Sequence, residues 1–155
     1  MAVSCSFSGI QSILCGESRG VSEIVDLIDC NDDVSAHLSG CHLSKSEMKE
    51  YEVVLARAGL FELSYDQISK MKVCSRHRNN LGRLWRPRTT CQHPTHTGPS
   101  SRCKGKHVFN LQLSQDVYKL NGHLVQIGSR KYSSCFLFHA SNALYCASYH
   151  SPGCV

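Results

Sequence analysis

The spacing of apolar positions predicts three short helices in the first half of the chain. Residues 22–30 (SEIVDLIDC) place four aliphatic side chains in a pattern typical of a short amphipathic helix. A longer helix is predicted from Ser44, where the sequence SKSE forms a capping box, to Gly59, which is a natural stop. A second capping box (SYDQ) begins at Ser64 and predicts a helix that leads directly to Cys74.

The second half of the chain contains an irregular stretch and a predicted strand–helix–strand element. Residues 73–107 are rich in Pro, Thr, Arg and His and show no sustained helical or strand period. Residues 108–113 alternate as a strand does, Ser114 caps a predicted helix that stops at Gly122, and residues 124–127 form a second predicted strand. The pattern therefore predicts an α+β fold.

Composition allows one ordinary domain or two very small ones, because 155 residues with 41% hydrophobic content can bury a core. No apolar run approaches the roughly 20 residues that a membrane-spanning helix needs. The first ten residues lack Lys and Arg and are interrupted by Ser, which makes a poor secretory signal. We therefore expect an intracellular protein.

Ten cysteines and nine histidines stand out in this composition. In a reducing compartment, cysteines are more often metal ligands, catalytic groups or buried thiols than disulfides. The alternative is a secreted protein with five disulfides, which would leave the many histidines without a role.

Charge is divided sharply along the chain. Residues 1–66 carry eleven acidic and four basic groups, whereas residues 67–115 carry ten basic groups and no carboxylate. Such a window attracts phosphate backbones through counterion release. The alternative is that the acidic part folds over the basic part and neutralises it internally.

Two close Cys/His pairs lie inside the window that has no carboxylate. Cys74 and His77 form a Cys-x2-His pair, and Cys91 and His96 form a Cys-x4-His pair 13 residues later. Two cysteines and two histidines match a closed tetrahedral zinc site, and zinc would supply the ordering free energy that this polar segment lacks. We predict one Zn²⁺ held by these four residues, with His93 as the weaker alternative to His96.

Other Cys/His combinations are weaker candidates. His37 with Cys41 and His42, and Cys103 with His107, have helical spacing, while Cys5, Cys15 and Cys30 are interpreted as buried thiols. A second metal site could form in the tail, from residues Cys135, His139, Cys146, His150 and Cys154. With these sites, the chain divides into an acidic helical region (1–72), a zinc-ordered basic module (73–131) and a Cys/His-containing tail (132–155), unless all three form one integrated domain.

The loop between the two Cys/His pairs has the chemistry of nucleic-acid binding. Arginine suits phosphate and guanine, and Trp85 is either a stacking surface or, as we favour, an apolar plug in a small core. The predicted nucleic-acid contacts are Arg76, Arg78, Arg83, Arg86, Arg88, Lys104 and Lys106.

Enzymatic motifs are missing from the sequence. It has no His-Glu-x-x-His helix, no deaminase Pro-Cys-x-x-Cys, no phosphate-binding glycine loop and no Gly-x-Ser-x-Gly elbow. We therefore expect no enzymatic activity.

Together these features predict a zinc-dependent nucleic-acid-binding protein in a nuclear, regulatory role. Double-stranded DNA is favoured over RNA, because no RNA-recognition signature or paired aromatics are visible. The run from Cys74 to His96 resembles, in a general way, the Cys/His zinc-binding modules of nuclear DNA-associated proteins. The alternative is a zinc-stabilised protein-interaction adaptor that binds an acidic partner on its basic face or a partner through the N-terminal helices.

Overall fold

The elements of the fold are short and lie mainly in the first two thirds of the chain. The structure is a computed structural model and describes residues 4–44, 47–96, 102–103, 107–132 and 135. In chain order the elements are β1 (Ile24–Asp26), a 3-10 turn (Leu27–Asp29), α1 (Ser35–Gly40), α2 (Glu50–Ala58), α3 (Tyr65–Ile68), β2 (Lys72–Cys74), α4 (Ser75–Leu81) and α5 (Leu111–Asn121). None of the described helices is long and apolar enough to span a membrane.

The two strands form a small antiparallel sheet in which Ile24 pairs with Cys74 and Asp26 with Lys72. The prediction of a helix over residues 22–30 is therefore wrong. Ile24 and Val25 are β-branched and suit a strand as well as a helix, and pairing with a segment nearly 50 residues away decides the outcome. With helices and a small sheet, the structure is consistent with an α+β fold.

Helix α2 lies at the centre of the molecule and is buried on almost every side. Its Val54, Leu55 and Ala58 belong to one apolar cluster, while Val53 and Ala56 belong to a second. The first cluster also contains Cys5, Phe7, Leu27, Cys30, Val73, Cys74 and Leu81. The second also contains Val34, Leu38, Cys41, Leu43, Trp85 and Ile127. Side chains from distant parts of the chain thus pack on one helix.

The predicted end of α2 is confirmed, whereas its predicted start is not. Gly59 caps the helix with a left-handed φ of 79°, and a Cβ at this position would lie 2.9 Å from the side chain of Leu124. The helix begins at Glu50 rather than near Ser44, and Glu52 accepts a 2.7 Å hydrogen bond from the Lys49 amide at its start. The second capping box is confirmed, since Ser64 and Gln67 exchange side-chain-to-amide hydrogen bonds around α3.

In the second half, one predicted element is confirmed and two are not. Helix α5 ends at Gly122 as expected, but Asn110, not Ser114, caps its start by accepting from the Leu113 amide at 2.9 Å. Residues 108–113 and 124–127 form no strand, although Val108 and Arg130 make an isolated antiparallel bridge. Helix α4 lies where the sequence showed no helical period, because its His77 and Leu81 are held by long-range packing.

A buried carboxylate joins the acidic and basic parts of the chain. Glu50 is 1% exposed and receives two hydrogen bonds from Arg78, at 2.8 and 2.7 Å. It also accepts the Asp32 amide at 2.9 Å, and the Asp32 carboxylate lies 3.2 Å from both Arg78 and Arg83. Although burial opposes it, the hydrogen bonds and charge of Arg78 lower the pKa of Glu50. The acidic part therefore neutralises some of the basic window.

A second buried charge, Arg57, has no carboxylate beside it among the described residues. Its guanidinium is fully buried, lies 4.0 Å from the centre of the Trp85 ring, and donates to the carbonyls of Leu81 and Gly82 at 3.0 Å. It also donates to His37 Nε2 at 2.9 Å. Burial, then the positive charges of Arg57 and Arg86, lower the pKa of His37 to about 4, so His37 is a neutral acceptor.

We predict that Glu50→Gln lowers the free energy of unfolding by about 3 kcal/mol, because Arg78 would then keep its charge against a neutral, partly unsatisfied amide. The control is Asp66→Asn, which removes the exposed Lys70–Asp66 pair and should cost no more than about 0.5 kcal/mol. Equal effects of both variants in denaturant unfolding would contradict this role of Glu50.

We also predict an acid-sensitive contribution from His37. Below about pH 6.5 the unfolded chain binds a proton at this residue that the native state does not bind until about pH 4. The free energy of unfolding therefore decreases as the pH is lowered from about 6.5 to 4. After allowance for partial exposure the loss is about 1–2 kcal/mol. His37→Gln keeps an acceptor for Arg57 without titrating, so the stability difference between wild type and variant should shift by this amount between pH 7 and 4.5. Parallel pH profiles would contradict the prediction.

Candidate metal centres and an adjoining basic cleft

Four ligand-type side chains from separate parts of the chain converge beside the small sheet. They are Cys5, Cys15, Cys74 and His77, whose ligand atoms all lie within 4.8 Å of one another. Cys74 ends β2 and caps α4, which places His77 one helical turn away on the same side. The Cys74 amide donates to Cys5 Sγ at 3.3 Å, and this contact fixes Cys5 alongside β2.

Cys15 is brought to this group by an irregular segment that lies against α4. The Arg76 amide donates to the Gly16 carbonyl at 3.1 Å, and Arg76 Nε donates to the Glu17 carbonyl at 3.2 Å. Within this segment Gln11 and Ser12 have φ values of 54° and 57°, a conformation that non-glycine residues adopt at some cost. A strained segment with little regular structure needs an anchor of this kind.

The distances in the first group match the edges of a tetrahedron around zinc. Zn–S and Zn–N bonds of about 2.3 and 2.0–2.1 Å put sulfur and nitrogen about 3.6 Å apart and two sulfurs about 3.8 Å apart. His77 Nδ1 lies 3.6 Å from Cys5 Sγ, 3.7 Å from Cys15 Sγ and 3.2 Å from Cys74 Sγ. The group could therefore hold a metal through Nδ1, with three sulfurs around it.

Local electrostatics favour a thiolate in this group. Burial alone would raise the pKa of Cys74, but hydrogen bonds from the backbone of His77 and Gly16 and from the His77 ring outweigh it and bring the pKa to about 6. Burial beside Cys74 instead raises the pKa of Cys5 to about 11. Two buried thiolates beside each other repel. A bound metal ion neutralises them and therefore favours the deprotonated thiols that it needs as ligands.

A second group consists of Cys91, His96 and Cys135. The sulfurs of Cys91 and Cys135 are 3.7 Å apart, and Cys135 Sγ lies 3.5 Å from His96 Nδ1. The Tyr132 amide donates to Cys91 Sγ at 3.4 Å, a contact that orients a ligating sulfur. These separations again fit tetrahedral zinc, with three ligands in place.

The structure does not bring the four predicted ligands together. Cys74 and His77 belong to the first group, and Cys91 and His96 to the second. Each predicted pair is thus kept, but its partners come from elsewhere: Cys5 and Cys15 in one case, Cys135 in the other. The interpretation of Cys15 as a buried thiol is wrong, because its side chain is exposed, while Cys5 and Cys30 are buried as expected.

The sequence does not predict that Cys5, Cys15 and Cys135 belong to the two groups, because their spacing from the predicted pairs matches no metal-binding motif. Cys5 and Cys15 are ten residues apart, and Cys135 is 39 residues beyond His96, so only the folded chain brings them into reach. The remaining members of the tail site (His139, Cys146, His150 and Cys154) lie outside the described residues.

Other sequence candidates have structural partners of different kinds. His93 is buried, and its Nδ1 accepts from the Thr95 amide at 3.3 Å and lies 2.9 Å from Thr95 Oγ1; it belongs to neither Cys/His group. His37 and Cys41 surround the Arg57 guanidinium, with Cys41 Sγ 3.8 Å from Arg57 Nη2. These two residues stabilise a buried cation in the core.

The predicted nucleic-acid contacts differ in how accessible their charges are. Arg78 and Arg83 are ion-paired with acidic groups, and Arg76 is held against residues 16–17. By contrast, Arg86 and Arg88 are exposed and form no ion pair with a described residue. Lys104 and Lys106 lie outside the described residues.

Arg86 and Arg88 line a cleft of about 520 Å³ that adjoins the second group. Its described lining contains Cys91, His93 and His123 but no Asp or Glu. Trp85 Nε1 donates to Gln126 Oε1 at 2.7 Å, which joins the two walls of the cleft. The Trp85 ring is 8% exposed and packs on Arg57, so it is the apolar plug favoured by the sequence. The cleft thus carries positive charge, and the hydrogen bond between Trp85 and Gln126 holds its two walls together.

Neither a protein-family model, nor a curated protein, nor a solved structure matches this chain.

We predict that Cys15→Ser releases one metal equivalent and lowers the free energy of unfolding by about 2 kcal/mol or more. An exposed thiol outside any site should tolerate this change at about 0.5 kcal/mol or less. The control, Cys30→Ser, changes a fully buried thiol outside both groups and should retain the metal. Burial alone predicts that Cys30→Ser is the more damaging variant, so metal content and unfolding of both proteins decide between the two explanations.

Proposed function

We propose that this chain is a zinc-ordered, non-enzymatic protein that binds nucleic acid, with duplex DNA favoured over RNA, in a nuclear regulatory role. Zinc is the metal that best fits both groups, because thiolate and imidazole ligands at tetrahedral separations are its preferred environment. The ion is structural in the first group, since four protein ligands leave no position for a reacting water.

One observation carries the binding proposal: the cleft beside the second group presents Arg86 and Arg88 with no carboxylate among its described lining residues. Arg78 and Arg83 are paired with Glu50 and Asp32. Arg86 donates to the backbone carbonyls of Arg83 and Trp85, but no described carboxylate neutralises its charge. Arg86 and Arg88 line a cavity in which a phosphate would meet guanidinium and imidazole donors.

Duplex DNA is favoured because the loop lacks an available stacking surface. Binding of single strands relies on aromatic rings on which bases stack, and the ring of Trp85 is already covered by Arg57. Contacts to a phosphate backbone need no such ring. A duplex lying across the mouth of the cleft would place one strand against Arg86 and Arg88.

We predict that affinity for random duplex DNA falls steeply with salt and that Arg86→Ala and Arg88→Ala each reduce the slope of log K against log salt by about 1. Arg19→Ala is the matched control, because it removes the same charge from an exposed position away from the cleft. Fluorescence anisotropy between about 50 and 200 mM salt measures these slopes. Equal slopes in all three variants would exclude the cleft as the binding surface.

A second candidate function is that of a zinc-stabilised adaptor. It is favoured by an apolar groove that runs along one side of helix α2. This groove of about 450 Å³ contains Tyr51, Leu55, Phe61 and Leu111, and Glu47 and Glu52 also line it. Its chemistry suits an amphipathic helix with an apolar face flanked by basic residues. Zinc-loaded protein that fails to retain duplex DNA but binds a peptide of this kind, and loses it in Leu111→Glu, would support the adaptor over the nucleic-acid binder.

A further inference from the structure

Within the part of the chain that the structure describes, the second Cys/His group is one ligand short of a closed structural site. Structural zinc is almost always bound by four protein side chains, whereas Cys91, His96 and Cys135 supply three. Three ligands with an open position would describe a catalytic or exchangeable ion. The surroundings of the group therefore decide what kind of centre it is.

Cys103 is held beside this group by backbone pairing. Thr90 and Arg102 form an antiparallel bridge, and the Cys103 amide donates to the Thr89 carbonyl at 2.8 Å. Residue 103 therefore lies opposite Thr89, and Cys91 follows two residues later in the same extended segment. The pairing fixes the backbone of Cys103 independently of its side chain.

Cys103 lies on the same side of this pairing as Cys91, because residues 89 and 91 share a side of the extended segment and residue 103 is opposite residue 89. A side-chain hydrogen bond joins Cys103 to Cys91. Cys103 Sγ does not lie within 4.8 Å of every ligand atom of the second group, so metal binding requires this side chain to turn toward His96 and Cys135. Three neighbouring thiols and an imidazole, without a carboxylate, form a donor set that suits zinc.

We propose that Cys103 is the fourth ligand of the second centre, which then consists of Cys91, His96, Cys103 and Cys135. The centre has the same Cys₃His composition as the first group and is closed in the same way. This inference rests on the proposed zinc occupancy of the second group, not on nucleic-acid binding.

The test is a chelator challenge of the full chain, with zinc counted per protein before and after. Wild type should retain two zinc ions, and Cys103→Ser should retain one and release the other at chelator concentrations that leave wild type intact. Cys30→Ser is the control and should behave as wild type, because Cys30 belongs to neither group. Two ions held with wild-type resistance in Cys103→Ser would overturn the assignment.

Alkylation of the wild-type protein gives the same answer without a substitution. In zinc-loaded protein, Cys103 should be protected together with Cys91 and Cys135, and all three should react after chelation, as mapped by mass spectrometry. Rapid alkylation of Cys103 while Cys91 stays protected would exclude it as a ligand. Rapid alkylation of all three before chelation would instead show that the second group holds no zinc, which contradicts the proposed occupancy of this group while leaving the first group untouched.

Discussion

The fold depends on the convergence of Cys5, Cys15, Cys74 and His77 at the junction of β2 and α4. Between residues 4 and 23 the chain has almost no regular structure and includes left-handed non-glycine residues. It nevertheless exchanges hydrogen bonds with β2 between Ser6 and Lys72 and contributes the fully buried Phe7 to the first apolar cluster. A metal ion bound by these four ligands would supply free energy that so little secondary structure cannot, because ordering the chain costs roughly 1–2 kcal/mol per residue.

Charge that is segregated in the sequence is partly paired in the fold. Glu50 and Asp32 from the acidic part bind Arg78 and Arg83 from the basic part, at the start of helix α2. The two readings of the charge division thus apply to different residues. Internal neutralisation accounts for Arg78 and Arg83, while Arg86 and Arg88 remain exposed in a cleft whose described lining residues include no Asp or Glu.

Sequence reasoning succeeded where the determinants are local. Gly59 and Gly122 end their helices because both adopt left-handed φ values, and the box at Ser64 needs only four consecutive residues. The pairs Cys74/His77 and Cys91/His96 are local for the same reason, which is why each survives intact in a group. Strand β1 and the allocation of pairs to groups depend on contacts across 39 to 72 residues, and no local pattern encodes them.

The central proposal is that metal binds at two separate groups rather than at one site formed by Cys74, His77, Cys91 and His96. The most direct measurement is the zinc-to-protein ratio of the full chain and of the variants Cys74→Ser, Cys91→Ser and their combination. Two centres predict two zinc ions in wild type, one in each single variant and none in the double variant. A ratio of one in wild type, lost completely in either single variant, would show a single shared site and contradict the account.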